Sequence, residues 1–167
     1  MLRKSQSLNY RELWKKFIKE GSQKSLSLIY FNHFDLLVNF GFKYTSDRQT
    51  IEDSIQDIFS YFLKVRKSLG DVNNMTGFLL KCFRRQLFIG LNRKKKLLQI
   101  ENISEDHFNY YNSPEQDFID HEDDDQLQTI VNQCITNLTA KQQEIIYLRY
   151  ECESSYEDIS NILKIAM

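Results

Sequence analysis

The chain has 167 residues, with 22 Lys and Arg against 23 Asp and Glu, and its net charge of −1 hides a strong asymmetry. Residues 1–100 carry 19 basic and 8 acidic side chains, a net +11, whereas residues 101–167 carry 3 and 15, a net −12. That split predicts a basic surface for a polyanion and an acidic segment suited to a basic groove or to solvent. At 41% hydrophobic and 13% aromatic the chain can bury one modest core or two small ones, not the interior of a large multidomain enzyme. No apolar run approaches the roughly 20 residues of a membrane span, and the start Met1-Leu2-Arg3-Lys4-Ser5-Gln6 has no signal-peptide pattern, so a cytoplasmic location without membrane contact is expected.

One Pro and five Gly leave few breakers, and apolar residues recur at helical spacing throughout, which predicts an all-α fold of two small helical domains. Leu13, Trp14, Phe17 and Ile18 form the apolar face of a first helix, with Lys15, Lys16 and Lys19 outside and Gly21-Ser22 as its stop. Leu26, Ile29, Tyr30, Phe34, Leu37 and Val38 make a second stripe that ends near Gly41. A third helix opens at Ser46-Asp47, either able to cap it, and carries Ile51, Ile55, Ile58, Phe59, Phe62 and Leu63 on one face. Residues 70–77 read as a loop rich in Asn and Gly, and a fourth helix runs from Phe78 to about Lys96 with Leu79, Leu80, Phe83, Leu87 and Leu91 as its apolar positions.

The first domain is placed at 1–98, and 99–126 is an acidic linker: residues 101–126 hold ten carboxylates, no Lys or Arg, and the only Pro, so they are expected to be extended by their own charge. The second domain is placed at 127–167. Leu127, Ile130, Val131, Ile135 and Leu138 start it, Thr139-Ala140-Lys141-Gln142 has capping-box spacing, and Ser154-Ser155 opens a last helix through Ile159, Ile162 and Leu163.

The pattern offers no chemistry of bond making. There is no phosphate-cradling Gly-rich loop, no nucleophile elbow and no paired His around a Glu. Cys82, Cys134 and Cys152 are odd in number and far apart, His33, His107 and His121 are equally scattered, and the acidic run lacks the central Gly of a calcium loop, so reduced thiols, no metal, no cofactor and no enzyme are expected. The positive signals are two helix faces. Lys81, Arg84, Arg85, Phe88 and Asn92 fall at i, i+3, i+4, i+7 and i+11, extended by Arg93, Lys94, Lys95 and Lys96. Cations that release counterions from phosphates, with an aromatic between them able to stack on an unpaired base, suit single-stranded or melted nucleic acid. Asp53, Gln56, Asp57 and Ser60 share the outer face of the third helix, an acidic and amide-rich stripe that suits a basic partner helix or plain solvent.

In that order, Leu13-Trp14-Lys15-Lys16-Phe17, the run Glu52-Asp53-Ser54-Ile55-Gln56-Asp57-Ile58-Phe59, and Gly77 through Leu87 resemble domain 2 of extracytoplasmic-function (ECF) RNA polymerase sigma factors. Residues 138–150 and 155–163 resemble the start of domain 4 in the same family. The resemblance implies an ECF-type sigma factor that binds core RNA polymerase and directs initiation by recognising and melting promoter DNA. It implies that Asp53, Gln56, Asp57 and Ser60 contact the β′ clamp, and that the loop Val72, Asn73, Asn74 and Met75 receives a flipped base of the minus-ten strand. It further implies that Lys81, Arg84, Arg85 and Phe88, with Asn92 and the cations that follow, hold the melted non-template strand. The acidic linker would thread the RNA-exit path. As partners it implies core RNA polymerase through its β′ clamp and β flap, promoter DNA, and an anti-sigma factor.

Many members of the family carry Asn where Arg85 stands and Asp where Ile89 stands, so their base preference does not transfer. The sequence also ends four residues after Leu163, and the expectation is a domain 4 truncated before the recognition helix that reads the minus-thirty-five element. An alternative reading is therefore an adaptor that recruits polymerase and is positioned by a separate DNA-bound protein, for example an RNA-guided, CRISPR-effector-like one. A third is an unrelated helical RNA-binding module, in which the Asp53/Gln56/Asp57 stripe has no role.

Overall fold

The computed structural model describes residues 9–98, 107–112 and 125–165, and among them every regular element is helical. The all-α expectation holds. Helix α1, Tyr10–Glu20, begins where the Asn9 side chain accepts from the Glu12 amide and ends at Gly21, whose φ of 71° is the left-handed conformation glycine adopts without strain. Ser22 caps α2, Gln23–Phe42. Asp47 caps α3, Arg48–Val65, which runs into a single 3-10 turn at Arg66–Ser68. Helix α4 spans Met75–Leu98, and α5 (Asp125–Thr136), α6 (Ala140–Tyr150) and α7 (Tyr156–Leu163) follow. Both expected cap signals of the last two are present: Thr139 with Gln142, and Ser155 with Asp158, form reciprocal capping boxes.

The start of α4 differs from expectation. Asn74 accepts the Gly77 amide on its side chain at 3.2 Å and the Phe78 amide on its carbonyl at 3.1 Å, so it acts as the N-cap and turns 75–77 from loop into first helical turn. Met75, expected in a base-receiving loop, is instead buried there at 4% exposure.

Helix α4 is the hub, packing on α2 and α3 along one side and on α7 along another. Trp14, Phe17, Ile29, Phe40, Ile55, Phe62 and Phe83 are among the fully buried side chains of the core. The expected division into two cores does not describe this packing. Leu148, Ile159, Ile162 and Leu163 of the last two helices join the same apolar cluster as the first four helices. They do so because α4 is apolar on two sides and one side would otherwise face water. By contrast α5 keeps Leu127, Ile130 and Val131 exposed, against the expectation that they begin a second core, since no helix packs extensively along it.

Of the expected linker, 99–106 and 113–124 lie outside the described residues. Residues 107–112 are not an extended charged tether. The stretch is aromatic rather than acidic, and Phe108 is buried among Phe40, Tyr44 and Tyr147. The Asn109 amide donates to the Lys43 carbonyl at 2.8 Å and the Tyr110 amide to Gln143 Oε1 at 3.0 Å, so this strap joins the end of α2 to α6. Cys82, Cys134 and Cys152 are free thiols, half-buried, exposed and buried respectively. Among the described residues no helix is long and apolar enough to cross a membrane.

Candidate nucleic-acid interface

Three rows of α4 decide what the helix can offer a ligand. Leu79, Phe83 and Leu87 face the bundle, as expected, and are fully buried. Leu80, Arg84 and Phe88, spaced i, i+4 and i+8, form a second buried row. Lys81, Arg85, Arg93 and Lys96 form the exposed row. The single cationic-aromatic face expected from Lys81, Arg84, Arg85, Phe88 and Asn92 is therefore divided, with Arg84 at 7% and Phe88 at 8% exposure.

Helix α6 is the physical cause. Arg84 Nε donates to Glu144 Oε1 at 2.7 Å and to the Tyr44 hydroxyl at 3.1 Å, and Arg84 Nη2 reaches Glu144 Oε2 at 3.4 Å. The Tyr44 hydroxyl donates to the same carboxylate. The guanidinium carbon lies 5.0 Å from the centre of the Phe88 ring, close enough for a cation–π contact. Burial works against the Arg84 charge, but Tyr44 and Glu144 outweigh it and its pKa is raised. Burial, reinforced by Glu144, raises that of Tyr44.

The other expected DNA contacts are dispersed. Asn92 is half-buried, and its Oδ1 has no hydrogen-bond partner. Arg93 and Lys96 are exposed, Lys95 is half-buried, and Lys94 pairs with Asp47, the cap of α3. The Lys94 hydrogen bond, with that of Thr50, holds the Asp47 carboxyl below its ordinary pKa. In the loop before α4, Val72 is half-buried and Asn73 exposed. This loop is tied to α1, because Trp14 Nε1 donates to the Gly70 carbonyl at 3.0 Å and Arg11 pairs with Asp71 at 2.9 Å. Asn74, besides capping α4, donates from Nδ2 to Asp158 Oδ2 of α7 at 2.7 Å.

The acidic stripe is as the sequence placed it. Asp53, Gln56, Asp57 and Ser60 are all exposed on α3. Asp53 accepts from Gln49 at 2.8 Å and Asp57 from Gln86 at 2.8 Å. Among the described residues neither carboxylate meets a cation, so neutral amides orient both while their charge stays available. Beside Asp57 a groove of about 590 Å³ runs between α3 and α4, with Tyr61 and Lys64 on one rim and Phe78, Arg85 and Arg93 on the other.

The sequence reading missed Glu144, Tyr44 and Asp158 as partners of the α4 residues. Glu144 sits in the polar run Lys141-Gln142-Gln143-Glu144 and looks like solvated surface. The usable signal was in α4 itself, where Arg84 stands midway in the row Leu80, Arg84, Phe88, and a cation at the centre of an apolar row needs a buried partner. No protein-family model matches the chain, and no curated protein matches it.

Proposed function

We propose that the chain is an ECF-type sigma factor that docks on core RNA polymerase and recognises and melts promoter DNA without catalysis of its own. The observation that carries this reading is the pairing of charges across one groove. On the α3 side Asp57 lines the groove with Tyr61 and Lys64, and Asp53 stands exposed one turn earlier, both carboxylates held by amides; on the α4 side Arg85 and Arg93 stand exposed with Phe78 nearby. Opposite surfaces on two adjoining helices suit one basic protein partner and one polyanion at once, and complementary charge of this kind fixes register more than affinity. The order of the motifs along the chain supports the same reading. By this proposal the α3 stripe meets the β′ clamp and the exposed α4 row tracks the phosphates of the melted strand.

The test is copurification with core RNA polymerase, followed by permanganate reactivity of promoter thymines. Asp53→Lys with Asp57→Lys is expected to abolish copurification, because each like-charge juxtaposition costs several kcal/mol. Undiminished binding by that variant, with its helix content intact, overturns the docking assignment.

The burial of Arg84 and Phe88 favours a second reading, the polymerase-recruiting adaptor positioned by a separate DNA-bound protein. Transcription from purified components separates the two. A sigma factor gives promoter-dependent transcripts with core polymerase alone, whereas an adaptor gives none until the DNA-bound partner is added.

A further inference from the structure

The C-terminal helices cover the part of α4 whose chemistry is most suited to a nucleic-acid strand. Glu144 reaches Arg84 with both carboxylate oxygens, which is the contact a phosphate would make with a guanidinium. Helix α7 approaches the first turn of α4 so closely that a β-carbon on Gly77 would lie 2.9 Å from Asp158 Oδ1 and 3.1 Å from its Cγ. Asp158 is bound in turn by Asn74. The cover is thus keyed to α4 by a carboxylate on each of its two helices.

We infer that this arrangement is a closed state, in which α6 and α7 form an intramolecular cap over the Arg84/Phe88 row and Glu144 takes the place of a strand phosphate, and that single-stranded DNA reaches this row only when the cap lifts. The inference rests on the nucleic-acid reading above and adds regulation to it. Three features suit the cap to lifting without unfolding. Each of its helices carries its own capping box, so the local backbone bonds do not depend on α4. Its attachment on the N-terminal side is α5, which has no extensive packing of its own. Its central contact is a buried ion pair, a type of contact that stabilises little beyond an apolar pair of the same shape yet is sensitive to either partner. Lifting exposes Tyr147, Leu148, Ile162 and Leu163, all buried in the closed form, so a partner surface that covers them shifts the population toward the open state.

If the open form is one molecule in ten, the apparent affinity for a strand is about tenfold weaker than the intrinsic one. Two variants bracket this. Glu144→Lys sets a second cation against Arg84 and opens the cap, and Glu157→Lys on the exposed face of α7 is its control for charge. Gly77→Cys with Asp158→Cys closes the cap by a disulfide, with the exposed Cys134 changed to Ser. Cys82 and Cys152 stay, since burial pushes their thiols up to about 11 and about 12 and leaves little thiolate for exchange at neutral pH.

The readout is the fluorescence anisotropy of a labelled single-stranded DNA oligonucleotide, with and without core RNA polymerase. Glu144→Lys is expected to bind at least about tenfold tighter than Glu157→Lys, and the oxidised double-cysteine protein at least about tenfold more weakly than the same protein reduced. Equal affinity in the oxidised and reduced forms, or no advantage of Glu144→Lys over Glu157→Lys, overturns the cap while leaving the nucleic-acid reading standing. If no variant binds the strand and none associates with polymerase, the functional reading fails and the cap falls with it.

Discussion

Arg84 and Glu144 are 60 residues apart in sequence and form an ion pair at 2.7 Å with side chains 9% and 2% exposed. The pair joins α4 to α6, and Tyr44 from the end of α2 shares it. Two charges are thereby satisfied in a region otherwise lined by Phe40, Phe88, Phe108 and Tyr147. Removing one partner is therefore a different experiment from removing both.

Glu144→Ala leaves Arg84 charged, buried and without its carboxylate, a change that costs about 3–5 kcal/mol. The free energy of lifting α6 and α7 limits the loss, so it is best read as faster amide exchange along α6 and α7, beside the urea midpoint. Arg84→Met with Glu144→Leu replaces the pair by apolar side chains and is expected within about 1 kcal/mol of the wild type, or above it. Unchanged exchange in Glu144→Ala would show that the pair contributes nothing to holding the cap.

Phe108 lies in the strap at 107–112 and is 4% exposed, with ring contacts to Phe40, Tyr44 and Tyr147 at 5.2 to 6.3 Å between centres. Phe108→Ala removes one ring shared by α2, the strap and α6, and such truncations cost about 3–5 kcal/mol. Thermal unfolding followed by circular dichroism is expected to show a lower midpoint. A shift no larger than that of an exposed control such as Phe31→Ala, with Phe31 at 72% exposure, would remove the strap from the packed core.

How far the sequence carries depends on whether the partners are local. Helix starts at Asn9, Ser22, Asp47, Thr139 and Ser155 are decided within three or four residues, and four of the five were legible as caps or turn signals. The start of α4 was not, because Asn74 is one of several Asn and Gly in a row and nothing local singles it out. The acidic stripe of α3 was legible because exposure is the default for charge at those positions. Arg84 and Phe88 failed for the opposite reason. Their burial depends on a helix 60 residues away, and the acidic segment between suggested separation, whereas its uncharged part around Phe108 is packed. The exposed row of Lys81, Arg85, Arg93 and Lys96 survives because it needs no partner.

His33 makes the stability of the fold depend on pH. It is 3% exposed, and its Nδ1 lies 2.8 Å from the Ile29 carbonyl, which can only accept, so that nitrogen carries the proton and Nε2 faces Thr76 Oγ1 at 3.3 Å. Burial lowers its pKa despite the Ile29 hydrogen bond. The unfolded chain then takes up a proton below about pH 6.5 that the folded chain refuses, so stability is full above that pH and falls as pH drops from 6.5 through the lower folded value. Urea midpoints measured downward from pH 7.5 are expected to decline in this window, and His33→Gln is expected to flatten the decline. An equal decline in His33→Gln would assign it to other groups.

Which cations of α4 meet a strand while the cap is closed depends on which are already paired with a carboxylate. Arg85 and Arg93 are exposed on the groove and paired with no carboxylate among the described residues. Lys94 is paired with Asp47, and Arg84 with Glu144. Each cation that neutralises a phosphate of a single strand contributes about 0.7 to the slope of log affinity against log salt. Arg85→Ala and Arg93→Ala are each expected to flatten that slope by about this amount and together by about twice it. Lys94→Ala is expected to change it less, because its charge is already committed to Asp47. Binding of a labelled single-stranded DNA oligonucleotide measured over a salt series gives the slopes directly. A wild-type slope from the Arg85/Arg93 double variant would mean that the exposed row is solvated surface, and that any strand contact lies elsewhere on the chain.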